Sequence, residues 1–320
     1  MMRIGVVAIG RNEGPRLDAC LSAAARDADR VVYVDSGSTD NSLEVAESLG
    51  AEIVRLDLST PFTAARSRNA GFERLMSVDP SIEFVQFVDG DCEMVAGWVK
   101  TARTFLIATP QAGVVCGRRR ERFPDASKYN ALCDLEWNTP IGRAKSCGGD
   151  AMIRVAAFKQ VGGYNNTVIA GEEPEMCVRL RRAGYEIHRM DAEMTLHDAA
   201  MTRFGQWWKR NVRSGHAYAE GFALHGAAPE HFRRKEVVSN YLWALPILWI
   251  LWPLLWVKIY RSRPNRLYAT FVTLSKLPQA IGQLTYVWNR LRGKRTKLIE
   301  YKISPPPGTP GGGWGEGEAA

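Results

Sequence analysis

Short apolar runs alternate with amphipathic stretches through the first hundred residues, in the rhythm of repeated βα units. RIGVVAI (3–9), RVVYVDS (30–36), AEIVRL (51–56) and EFVQFVD (83–89) read as strands, and residues 15–27, 41–49 and 63–77 carry helical periodicity between them. Pro15 suits the first turn of one helix, while Asp40 or Asn41 can cap the next with Glu44 facing its positive end. A sheet built from such units is expected to be largely parallel, with its ligand beyond the carboxyl ends of the strands. The residues that follow each strand are therefore the first candidates: Asn12 and Glu13, Asp35 to Asp40, Asp57, and Asp89 to Asp91. They are rich in carboxylates and small residues, a set that suits a nucleotide together with a metal ion.

From about 110 to 200 the pattern changes to mixed strands and helices. AGVVCGRR and CGGDAMIR read as strands, 172–183 as a helix, and YEIHRM and MTLHD as two further strands, all in a second half of the same domain. A helix over 203–225 carries Trp207, Trp208, Arg210 and Arg213. The apolar run 241–257 would span about 26 Å as one helix, the lower limit for crossing a bilayer, and Pro246 and Pro253 would kink it. Basic residues flank it on both sides, with Arg233, Arg234 and Lys235 before it and Lys258, Arg261, Arg263 and Arg266 after it. Both flanks then prefer the cytoplasm, so the run is expected to lie in the membrane plane or to re-enter, with the C-terminus on the same side as the active site. Residues 267–288 read as an interfacial helix. The expected organisation is a catalytic domain at 1–228, a membrane-associated helical tail at 229–303, and a disordered Pro/Gly-rich end at 304–320.

Composition narrows the partners. With 320 residues, 46% of them apolar and 24% charged, the chain can bury a full core and has little room for several membrane spans. The formal charge of +8 is uneven: between Lys258 and Lys302 eleven Lys or Arg face the single acid Glu300, leaving the rest slightly acidic. No nucleic-acid recognition motif accompanies this basic stretch, so nucleic acid is set aside and anionic membrane lipid is the expected partner. The six cysteines show no paired metal spacing and read as reduced, buried thiols. MMRIGVVAIGRNEG has too short an apolar stretch for a secretory signal and reads as a first core strand, which points to a cytoplasmic catalytic part.

Three blocks carry candidate chemistry. Asp89 and Asp91, in DGD at a strand end, can hold a hard divalent cation that bridges a diphosphate. A DxD alone means little, and its place directly after a buried strand and before an acid-rich crevice is what gives it weight. VDSGSTDNS (34–42) forms a small-residue loop that a base can approach, where Asp35 can accept from a pyrimidine imide N–H. In TAARSRNAGFE (63–73), Arg66 and Arg68 face opposite ways, so one can reach a pyrophosphate while the other is solvated. Farther along, Trp137 can stack on a sugar ring.

These blocks in this order, with VVAIGRNEG in front, resemble the nucleotide-binding half of family 2 glycosyltransferases of the bacterial envelope and exopolysaccharide type, over roughly residues 3–225. The resemblance implies an α/β GT-A fold, a nucleoside held by Asn12, Glu13 and Asp35, and a nucleotide contact from Arg66 with Asn69 buttressing the loop. It assigns the divalent cation, Mn²⁺ or Mg²⁺, to Asp89 and especially Asp91, with His197 completing the site. Ser36 stands where the family usually has a second acid. GEEPEMCVRLRRAGYEI (171–187) resembles the segment with the catalytic base, which falls on Glu173 with Glu172 as rival. CGGDAMIR resembles the acceptor loop, giving Gly149 and Asp150. The implied activity is metal-dependent inverting transfer from a UDP- or other nucleotide sugar to a lipid-linked or polysaccharide acceptor at the cytoplasmic face of the membrane. A sugar-phosphate nucleotidyltransferase would open with a GxGxR loop and a nearby Lys, which AIGRNEG does not match. A non-catalytic nucleotide-sugar-binding scaffold is the other class, and it would have no need of both DGD and a base.

Overall fold

Val6, Val7, Val32, Val34, Phe84 and Phe87 are fully shielded from solvent, because the strands that carry them are covered by helices on both faces. The computed structural model describes residues 2–294, 296 and 298–301, so the Pro/Gly-rich stretch 304–320 lies outside the described residues. The chain begins with β1 (Arg3–Gly10), α1 (Pro15–Asp27), β2 (Arg30–Asp35), α2 (Ser42–Ser48), β3 (Glu52–Arg55), α3 (Ala64–Val78) and β4 (Ile82–Asp89). Pro15 opens α1, where its missing N–H costs nothing. Thr63 caps α3 by accepting from the Arg66 N–H. Asn41 gives α2 no side-chain cap, and the Asp40 carboxylate accepts from the Ser42 N–H instead.

The second half contains β5 (Cys92–Met94), α4 (Trp98–Ala108), β6 (Ala112–Glu121), α5 (Lys128–Trp137), β7 (Gly142–Ala144), β8 (Ala151–Arg154), α6 (Val155–Gln160), α7 (Glu172–Arg182) and β9 (Glu186–His197). All nine strands form one sheet in the order β3-β2-β1-β4-β8-β6-β9-β5, with β7 on β9. The expected parallel pairing holds for β3 through β4 and for β6 with β9. Elsewhere it does not: β8 runs antiparallel to β4 and β6, and β5 and β7 run antiparallel to β9. YEIHRM and MTLHD are one continuous strand, since register shifts against β6 absorb the polar residues between them. Only Ala151–Arg154 of CGGDAMIR is strand, and the glycines before it form a loop at the sheet's end.

The rest is helical: α8 (Phe204–His225), α9 (Arg234–Ala244), a 3₁₀ turn (Pro246–Leu251), α10 (Trp252–Ser262), α11 (Arg266–Leu274) and α12 (Lys276–Leu291). Leu245, which precedes Pro246, is extended, and this stops α9. The chain bends by 98° there, and no single described helix is long and apolar enough to cross a membrane. The tail does not hang free. Phe271 of α11 joins Tyr129, Leu132, Cys133 and Trp207 in a second apolar cluster, which makes Trp207 a core residue. α12 lies on α8 at two glycines, where a methyl on Gly215 would collide with the Gln279 carbonyl and one on Gly282 with the Val212 carbonyl. This docking carries the end of the tail back over the strand ends.

Candidate active site

A cavity of about 540 Å³ opens beyond the carboxyl ends of β1 and β4, with Gly10, Glu13, Ser36, Asp89 and Asp91 on one side. Arg210, Arg213 and Tyr218 of α8 close the other side. Asp89 is the last residue of β4, and Asp91 follows in the tight turn into β5. Because β5 pairs Cys92 with His197 at the end of β9, that turn brings Asp91 against His197. The Asp91 Oδ2 to His197 Nε2 distance is 3.4 Å. Trp137 packs edge-on against the imidazole at 4.7 Å, and Glu121 lies 3.8 Å from its other nitrogen. Asp91, Cys92 and His197 offer donor atoms all within 4.8 Å of one another. A carboxylate oxygen and an imidazole nitrogen at that separation can share one divalent cation.

Of Arg66 and Arg68, it is Arg68 that reaches the cavity. It is 2% exposed, and its guanidinium bridges Asp89 Oδ1 at 2.7 Å and Glu172 Oε1 at 2.6 Å. Burial opposes its charge, but the two carboxylates more than compensate and raise its pKa. Removing one member of such a buried network costs about 3–5 kcal/mol. Arg66, expected to contact the nucleotide, points away and donates to the carbonyls of Asp57, Thr60 and Pro61. Two residues along a helix turn a side chain to the far face.

Three other residues expected to meet ligand have partners within the chain. The Asp35 carboxylate accepts from the N–H groups of Gly37 and Ser38, both at 3.0 Å, so it folds its own loop rather than facing a base. Asn12 braces the same loop, accepting from the Thr39 N–H at 2.7 Å and donating its own N–H to Ser38 Oγ. Asp150 is wholly buried. Its carboxylate accepts from the Asp89 N–H, from Arg119 Nε and from Thr195 Oγ1, and no sugar hydroxyl can reach it. Glu13 does line the cavity, paired with Arg16 at 2.9 Å. Asn69 is a buttress, exchanging hydrogen bonds with the backbone of Tyr164.

A second cavity, of about 520 Å³, lies beside the first and is lined by Gly117, Trp137, Pro140 and Arg143. Gly149 and Glu173 border both. A methyl on Gly149 would stand 2.8 Å from Arg68 Nη2 and 3.1 Å from Asp89 Oδ2, so only glycine leaves that cluster undisturbed. Glu173 lies in the first turn of α7, behind Gly171 at φ 78°. Burial, then the neighbouring Glu172 carboxylate and Cys177 thiol, push its pKa well above the ordinary value. Glu172, the rival base, is committed to Arg68. The sequence reading missed Arg119, which holds Asp150 at 2.7 Å and approaches Asp89 at 3.5 Å. Alternation in the Arg118–Arg119–Arg120 run offered the signal, since only the middle residue turns to the site. Glu121, behind His197, left no signal in the sequence.

Known proteins resemble the chain in sequence and in fold. Residues 6–160 match the Glycosyl transferase family 2 profile. Those residues carry a family 2 glycosyltransferase domain. Residues 133–203 also match a profile described as the N-terminal domain of galactosyltransferase. Succinoglycan biosynthesis protein ExoA of Rhizobium meliloti (strain 1021) is 29% identical over 211 residues, 62% of this chain and 63% of that protein, so the match spans less than two thirds of the relative's length. Among solved structures, the mannosyltransferase PcManGT from Pyrobaculum calidifontis, in complex with GDP-Man and Mn²⁺, superposes with a TM-score of 0.59 at 17% identity, covering 90% of this chain and 88% of that one. TarS of S. aureus gives 0.52 at 13% identity, covering 89% and 55%. At these identities the likeness shows the fold, which is GT-A.

Proposed function

We propose that this glycosyltransferase transfers a sugar from a nucleoside-diphosphate donor to a glycan or lipid-linked acceptor with inversion, using Glu173 as the base and a divalent cation held by Asp91 and His197. The observation that carries the reading is the position of Glu173 on the wall common to both cavities. The acid- and arginine-lined cavity suits the donor, and the cavity with Trp137 suits a sugar acceptor. Between them Glu173 takes the proton of the acceptor hydroxyl as that oxygen bonds to the anomeric carbon. The bond from that carbon to the diphosphate oxygen breaks on the opposite face, and the nucleoside diphosphate leaves with the electron pair. No covalent sugar-enzyme intermediate is formed. The cation, when bound, offsets charge on the diphosphate. A raised pKa makes Glu173 a stronger base once ionised. Arg68 and Gly149 keep Asp89 and Glu172 in register around it.

The name of ExoA supports a polysaccharide acceptor. For the tail, Ile247, Ile250 and Leu254 are 80%, 83% and 66% exposed beside Lys258, Arg261 and Arg263. Apolar residues next to a basic cluster support an in-plane anchor on anionic lipid, with residues 1–228 as a catalytic domain at the cytoplasmic face and 229–303 as the anchoring tail. The donor reading is tested by thermal shift with UDP, GDP and dTDP, with and without Mn²⁺. One of them, at a hundredfold excess over its Kd, should raise Tm by about 5 °C, and more with Mn²⁺ than without. No shift with any of the three would refute it.

A further inference from the structure

Most arginines around the donor cavity have acidic partners upstream of α10. Arg68 holds Asp89 and Glu172, Arg210 holds Glu136 at 2.6 Å, and Arg233 holds Glu236 at 3.0 Å. Arg11, just after β1, and Arg213, on α8, are met instead by the end of the tail. Past α12 the chain turns at Gly293, whose φ is 63°, and residues 298–301 run along the cavity, with Leu298, Glu300 and Tyr301 in its lining. Glu300 Oε2 stands 2.7 Å from Arg11 Nη2, and the Tyr301 ring lies 5.9 Å from the Arg213 guanidinium.

We propose that residues 298–301 form an internal gate on the donor cavity, in which the Glu300 carboxylate occupies Arg11 as a diphosphate would and must be displaced when the donor binds. The proposal rests on reading this cavity as the donor site. A guanidinium N–H donates to a carboxylate or a phosphate oxygen alike, so the two anions compete for Arg11. The Arg11 guanidinium lies over the Phe62 ring at 4.6 Å, which holds its plane and leaves its N–H edge to face whichever anion is present. Glu300 also adds negative charge to a cavity that already holds Glu13, Asp89, Asp91, Glu172 and Glu173, and this disfavours a diphosphate further. The Arg11 and Glu300 side chains are 31% and 49% exposed. An ion pair so open to water is weak, which suits a contact that has to be released.

The test uses the full-length chain and isothermal titration with UDP and with GDP, both in the presence of Mn²⁺. Glu300→Gln should bind the preferred nucleotide about two- to fivefold more tightly than wild type, the range set by an exposed ion pair. In an Arg11→Gln background the same substitution should give no gain. Unchanged or weaker binding by Glu300→Gln would make residues 298–301 a bystander or a lid that holds the donor, and would overturn the gate. A gain that persists without Arg11 would overturn the competition for that guanidinium. If wild type binds neither nucleotide while Glu300→Gln binds one, the gate is stronger than argued. If neither protein binds UDP, GDP or, titrated in the same way, dTDP, the donor reading falls and the gate with it.

Discussion

His197 Nε2 stands 3.4 Å from Asp91 Oδ2, although one residue ends β9 and the other lies in the turn after β4. Antiparallel pairing of the three-residue strand β5 with β9 produces this meeting, and it sets side by side the carboxylate and the imidazole proposed to hold the divalent cation. Asp91→Asn is therefore expected to weaken Mn²⁺ binding by at least about tenfold. In thermal shift the variant should keep its folded baseline but lose the extra stabilisation that Mn²⁺ gives with a nucleoside diphosphate. A wild-type Mn²⁺ response from Asp91→Asn would reduce DGD to a turn.

His216 and Glu220, one turn apart on α8, predict a pH dependence of the tail's docking. Their side chains come within 3.7 Å, and Tyr286 of α12 covers the imidazole. Burial pushes Glu220 up to about 7 and His216 down to about 4. The raised Glu220 contributes stability that is complete below the unfolded value of about 4.3 and is lost as pH rises through 7. The depressed His216 works in the opposite sense, its contribution being lost as pH falls from about 6.5 towards 4. Over the shared window the two slopes oppose each other, so the Glu220→Gln variant exposes what wild type conceals. The Tm difference between Glu220→Gln and wild type should grow in favour of the variant from about pH 4.5 to pH 7 and then level off. Melts showing a difference independent of pH would contradict the assignment.

The first four strands, their helices and the crevice at the strand ends were legible because period-2 and helical patterns are local, and a parallel βα layout fixes where the loops converge. Glu13, Asp89 and Asp91, which that layout put beyond the strand ends, line the first cavity; Glu173 and Gly149, which only the family resemblance singled out, border both, and Trp137 lines the second. What the sequence hid depended on long-range pairing. Arg68 rather than Arg66 faces the site because α3 packs one particular face on the sheet. Asp35 looked free until its loop closed on it, and Asp150 looked like a loop residue until Arg119 and Thr195 enclosed it. The tail's return to the cavity follows from the fit of Gly215 and Gly282, which no local pattern announces.

Glu173 on the wall between the two cavities is the centre of the account, and one comparison tests it most directly. Release of nucleoside diphosphate from a bound nucleotide sugar is measured for wild type and for Glu173→Gln, alongside the donor Kd of each. The account predicts that the variant binds donor within about threefold of wild type while its release rate falls by about 10²–10⁴, the range of a lost general base. Wild-type release should rise with pH along a limb above the range of a free carboxylate, because burial and Glu172 raise the Glu173 pKa. A Glu173→Gln enzyme that turns over at the wild-type rate, or that loses donor binding and rate in equal measure, would contradict it.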